Sequence, residues 1–98
     1  MKGTNLGEFE ELVLLTIASA GNEIYAIPLR EELEAVSKRK VNISAVHAAV
    51  YRLEQKGFIS SFFGEATKQR GGKRKRFFQV SLQGFQALEE AQSLRLKL

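Results

Sequence analysis

The stretch 43–63, ISAVHAAVYRLEQKGFISSFF, changes its period in the middle. Up to Lys56 the apolar residues Val46, Ala49, Val50 and Leu53 recur at three- and four-residue steps, as on a helix with one buried face. The spacing predicts a helix over 45–56, with Ser44 as its N-cap and Gly57 just past its end. Beyond Gly57 the period is two, with Phe58, Ser60 and Phe62 alternating against Ile59, Ser61 and Phe63 as in a strand. The outer face of the helix carries Ala45, His47, Ala48, Tyr51, Arg52 and Gln55. Small residues there let another backbone come close, and the rest can hydrogen-bond to base edges or phosphate. Taken alone, such a face reads as ordinary solvated surface.

Working outward, a second strand is expected over 75–81, with Phe78 and Val80 on one side and Phe77 on the other. The intervening 64–73 contains three Gly and no large apolar side chain, so the two strands form a hairpin with a long tip. Lys68, Arg70, Lys73, Arg74, Lys75 and Arg76 crowd that tip and its base, while Phe62, Phe63, Phe77 and Phe78 are expected to pack inward on the helices. Ser81 then caps a last helix, over about 82–98, with Ala87, Leu88, Ala91, Leu94 and Leu98 in one stripe. On the other side of the opening stretch, a helix is expected over 25–37. It turns Tyr25, Ala26, Leu29, Leu33 and Val36 inward and holds Pro28 in its first turn, where a missing N–H costs nothing. Lys38-Arg39-Lys40 ends it, and Val41-Asn42-Ile43 suffices for a very short strand. The first helix is expected over 6–20, capped by Thr4 or Asn5, with Leu6, Phe9, Leu12, Val13, Ile17 and Ala20 as its stripe. Leu14 and Leu15 fall off that stripe and call for a second cover. Three helices followed by a hairpin is the order of a winged helix-turn-helix. The fold class is therefore mainly α with a small β-hairpin (α+β), a single domain over 1–98 with an extra C-terminal dimerisation helix.

Composition narrows the chemistry. The 98 residues include no Cys, no Asp and one His, His47, which argues against thiol chemistry, hydrolytic triads and metal sites. No enzyme activity, metal or cofactor is expected. The longest apolar run, 13–20, is far short of the roughly 20 residues of a membrane span, and a cytoplasmic protein is the default. Charge is unevenly placed: 38–76 holds eleven basic residues against Glu54 and Glu65, whereas the remainder is net acidic. Such asymmetry in one small domain marks a face for an anionic polymer.

The ordered set Leu6-Gly7-Glu8-Phe9-Glu10, Leu14-Leu15, Tyr25-Ala26-Ile27, Ile43-Ser44-Ala45-Val46, Arg52-Leu53-Glu54, Lys56-Gly57-Phe58-Ile59, Arg70-Gly71-Gly72 and Arg76-Phe77-Phe78-Gln79-Val80-Ser81 with Gly84 spans nearly the whole chain. It resembles the PadR family of bacterial transcriptional regulators, in its short single-domain form. The resemblance implies a dimeric winged-helix repressor whose third helix enters the major groove, whose wing follows the backbone or minor groove, and whose last helix joins dimerisation. His47 stands where the family usually has Tyr, and Phe78 where Tyr is common. Some short members bind flat drugs between aromatic residues at the dimer centre; this chain has no Trp, and its last helix is aliphatic beyond Phe85.

Together these readings predict double-stranded DNA as the partner of a homodimer acting on an inverted-repeat operator. Ser44, Ala45, His47, Ala48, Tyr51 and Arg52 are the candidate DNA contacts of the third helix, and the six cations from Lys68 to Arg76 those of the wing. Leu14, Leu15, Leu88, Ala91, Leu94 and Leu98 are the candidate dimer contacts. No small-molecule effector is specified. The alternative reading is a winged-helix protein-interaction module whose basic wing takes an acidic partner.

Overall fold

A computed structural model describes residues 6–64 and 74–97. Their order is α1 (Glu8–Ser19), β1 (Ile24–Tyr25), α2 (Ala26–Ser37), α3 (Ile43–Gln55), β2 (Ile59–Phe63), β3 (Arg76–Val80) and α4 (Leu82–Leu96). The α+β class and the helix-helix-helix-hairpin order are as expected. The sheet has three strands rather than two, antiparallel throughout, in the order β1-β3-β2.

The added strand comes from a tight reversal after α1. Gly21 and Asn22 both take positive φ, 79° and 60°, a conformation that Gly and Asn tolerate better than other residues. Asn22 then behaves as a stretch of strand. Its Oδ1 accepts the Val80 N–H at 2.7 Å and its Nδ2 donates to the Val80 carbonyl at 3.4 Å. This aligns Ile24 with Phe78 and Tyr25 with Phe77. No strand forms at 41–43, because Ile43 already belongs to α3 and the Val41 N–H donates to Glu34 Oε2 at 2.8 Å to close the α2–α3 turn.

The helix starts also differ in detail. Gly7 is the N-cap of α1, and its N–H donates to Glu10 Oε1 at 3.1 Å; Thr4 and Asn5 lie outside the described residues. Asn42, not Ser44, caps α3: its Oδ1 accepts both the Ser44 N–H at 3.0 Å and the Ser44 hydroxyl at 2.8 Å. Pro28 sits in the first turn of α2 as expected, but Val36 is 60% exposed rather than inward, since α2 ends at Lys38 beyond the reach of the core.

Val13, Leu14, Ile17, Leu29, Leu33, Val46, Ala49 and Leu53 are fully buried, and Ile59, Phe78, Val80 and Leu88 complete the core. Here the expected cover for α1 needs correction. The helix is enclosed by α2 and α3 on one side and by β3 and α4 on another, so its buried arc is wider than one stripe. Leu14 lies inside that arc, as do the carboxylate-bearing Glu10 and Glu11. The same packing buries Leu88 and Ala91 within the chain, so Leu14, Leu88 and Ala91 have almost no surface to offer a second copy. Arg95 reinforces the α1–α4 contact by donating to Glu11 Oε1 at 2.6 Å.

The start of α4 is locked to the end of α3. Ser81 Oγ accepts the Gly84 N–H and donates to the Gly57 carbonyl, at 3.0 and 2.6 Å, while the Ser81 N–H donates to the Phe58 carbonyl at 2.9 Å. Gly84 sits so close that a Cβ there would lie 2.1 Å from the Phe58 carbonyl oxygen.

Candidate nucleic-acid interface

The faces of α3 separate as the periodicity requires. Val46, Ala49, Val50 and Leu53 are buried, whereas Ser44, Ala45, His47, Ala48, Tyr51, Arg52 and Gln55 are exposed. Tyr51, at 63% exposure, is the largest side chain on that outer face. The two alanines leave the backbone between His47 and Tyr51 approachable.

The cations around this face are tied down. Arg52 Nε and Lys56 Nζ, one turn apart on α3, each donate to Glu10 of α1 at 2.7 Å, one to each carboxylate oxygen. Burial alone would raise the Glu10 pKa. The bonds from Lys56, Arg52 and the Gly7 N–H, with the nearby Lys56 charge, outweigh it and lower the value from 4.5 to about 2. Arg52 is thus half exposed but held at its Nε.

Arg76 is similarly engaged. Its guanidinium pairs with Glu54 of α3, its Nε donates to Ser61 Oγ at 3.0 Å, and Ser61 Oγ donates to the other Glu54 oxygen at 2.8 Å. The triad fastens β2 and β3 to α3, so Arg76 braces the wing. Arg74 Nε donates to the Gly64 carbonyl at 2.8 Å, and Lys75 Nζ donates to the Tyr25 hydroxyl at 3.0 Å, 4.4 Å from that ring's centre. Lys68, Arg70 and Lys73 lie outside the described residues.

The hairpin aromatics do not all pack inward. Only Phe78 is buried: with Ile24, Ile59 and Val80 it lies on the core side of the sheet, while strand alternation turns Phe62 and Phe77 to the other side. Tyr25, Phe77 and Phe62 stand in one cross-strand row on the outer side: Phe62 stacks on Phe77 at 5.6 Å and Tyr25 meets it edge-on at 5.4 Å. Phe63 is exposed.

Of the remaining candidate dimer contacts, Leu15 and Leu94 are partly exposed and Leu98 lies outside the described residues. Leu96, which the helical stripe had not included, is 88% exposed. Leu15 joins Phe9 and Leu12 in a groove of about 630 Å³ that continues past Val41 to Arg95. Glu10 and Glu54, which hold Arg52, Lys56 and Arg76, have no local sequence signal for that role, because their partners come from other elements.

No family model matches the chain, and no curated protein matches it by sequence. Solved structures do resemble it. RosR from H. salinarum superposes with a TM-score of 0.75 over 95% of this chain and 76% of its own, at 19% identity. A PadR-like transcriptional regulator from Bacillus cereus gives 0.71 over 87% and 78%, at 18% identity. A PadR family transcriptional regulator from Eggerthella lenta gives 0.67 over 89% and 75%, at 19% identity. Similarity of this extent at such low identity establishes architecture: the chain has the winged-helix fold of PadR-like transcriptional regulators.

Proposed function

We propose that the protein is a PadR-like transcriptional regulator that binds duplex DNA sequence-specifically as a cytoplasmic homodimer, and represses from an inverted-repeat operator. The observation that carries this reading is the outer face of α3, where Ala45 and Ala48 leave room beside His47 and the exposed Tyr51, flanked by cations at the helix end and wing base.

In this reading α3 lies in the major groove, with His47 and Tyr51 reaching base edges and Ser44 near the backbone. Arg52, held at its Nε, serves a phosphate. The wing cations Lys68, Arg70, Lys73, Arg74 and Lys75 follow the backbone, with Arg76 as their brace. A partner's C-terminal residues, Leu94 and Leu96 among them, cover the groove of Phe9, Leu12 and Leu15. Two-fold symmetry then sets the recognition helices about 34 Å apart, one helical turn of DNA.

Selection of bound duplexes from a random library tests the reading. The expected result is an enriched inverted repeat bound at least about 10³-fold more tightly than random duplex, with affinity falling steeply as salt rises. Enrichment of no sequence, or equal affinity for all duplexes, would refute it and favour the protein-interaction alternative.

A further inference from the structure

We propose that Glu10 sets how sharply the protein distinguishes its operator from other DNA, by fixing Arg52 and Lys56 in place and cancelling one of their two charges. The inference rests on the duplex-binding reading above and assigns that site a positioning residue which itself does not touch DNA.

The geometry is the argument. Arg52 and Lys56 extend from α3, the helix proposed to read bases, and both converge at 2.7 Å on one carboxylate of a different helix. That carboxylate is itself fixed: Glu10 is buried, and one of its oxygens also accepts the Gly7 N–H. Arg52 nevertheless remains half exposed, so a phosphate can still reach it.

An untethered arginine or lysine adapts its rotamer to whichever phosphate is nearest, and so strengthens all duplexes alike. A tethered one has its position settled beforehand. It suits only a duplex whose phosphate falls at that place while α3 is seated on its bases, and it loses less side-chain freedom on binding. The carboxylate also repels phosphates that arrive elsewhere. Glu10 therefore weakens random binding while leaving operator binding nearly intact.

The test uses the full chain with Glu10→Gln, which keeps the shape and an acceptor oxygen. Affinity is measured against the selected operator and a random duplex of equal length across a salt series. Random-duplex affinity should rise about 3- to 10-fold at low salt, and its log–log salt slope should steepen by about 1, as expected for one more available cation. Operator affinity should change less than about 2-fold, so the specificity ratio falls. In Arg52→Gln/Glu10→Gln the random-duplex slope should return to the wild-type value. Glu11→Gln, which removes the other buried α1 carboxylate and the charge it presents to Arg95, should leave the ratio unchanged.

Should Glu10→Gln fail to fold, Arg52→Gln alone decides: it should weaken operator binding about 10-fold and random binding about 2-fold, and equal losses overturn the proposal. Equal changes on both duplexes in folded Glu10→Gln also overturn it, since they leave Glu10 a purely structural role. A wild-type chain that prefers its operator while Glu10→Gln keeps the same ratio refutes only this inference. A wild-type chain that binds no duplex refutes the functional reading with it.

Discussion

Replacing Gly84 with Ala should destabilise the domain, although alanine is the better helix former. A Cβ at this position would lie 2.1 Å from the Phe58 carbonyl oxygen, 3.0 Å from its carbonyl carbon and 2.7 Å from Val80 Cγ1. The first two are backbone atoms, and the oxygen is already held by the Ser81 N–H at 2.9 Å, so no side-chain rotation relieves the clash. Helix α4 must move away from the end of α3. That displacement costs about 1 to 3 kcal/mol as overpacking and about 1 kcal/mol for the stretched Ser81 bond. The gain in helix propensity offsets about 1 kcal/mol. The net loss is about 1 to 3 kcal/mol, equivalent to a Tm lower by roughly 4 to 24 °C for a domain of this size. Urea titration followed by far-ultraviolet circular dichroism measures it, with Gly57→Ala as the contrast. Gly57 has φ of 78° and open space where a Cβ would go, so its loss should be about 1 kcal/mol from backbone conformation alone. A Gly84→Ala midpoint at or above that of wild type would refute the packing argument.

Acid should destabilise the protein through Glu10. Its folded pKa, about 2, lies below the ordinary 4.5, so its contribution is complete above about pH 4.5 and is lost as pH falls toward 2. The loss amounts to about 3 kcal/mol, and in Glu10→Gln the stability profile across that window should flatten; an unchanged profile would show that other carboxylates dominate. Assembly gives a further expectation. Light scattering at micromolar concentration should report twice the 11.0 kDa chain mass, and Leu94→Ser/Leu96→Ser should shift it toward the monomer. A wild-type monomer would refute the dimer.

The division of α3 into an inner and an outer face was legible because one helix packed on one core imposes one stripe. Leu14 was not legible in the same way, because α1 is wrapped on two sides and hydrophobic periodicity records only the sum. The tethers of Arg52 and Arg76 lie further from local reading: Glu10 is 42 residues before Arg52, and Glu54 is 22 before Arg76. A cation in a basic run looks the same whether it faces a phosphate or a carboxylate from another helix. Strand parity put Phe77 opposite Phe78 correctly, and the β2–β3 register turns Phe62 to the same outer side; only the third strand, two residues long and invisible to any period, brings Tyr25 into that row.

The placement of β3 between β1 and β2 also bears on how the protein is made. The central strand of the sheet is the last to leave the ribosome, and Asn22 must wait for Val80, 58 residues later, to find its partner. Until then β1 has nothing to pair with, the sheet side of the core lies open, and α1 lacks its α4 cover. Contacts this distant in sequence close late and favour slow, all-or-none folding over stepwise growth from the first helix. A nascent chain stopped before Arg76 therefore holds the entire α3 sequence yet lacks both the central strand and the α4 cover of the core, and apolar surface left open in this way makes such a species prone to aggregate.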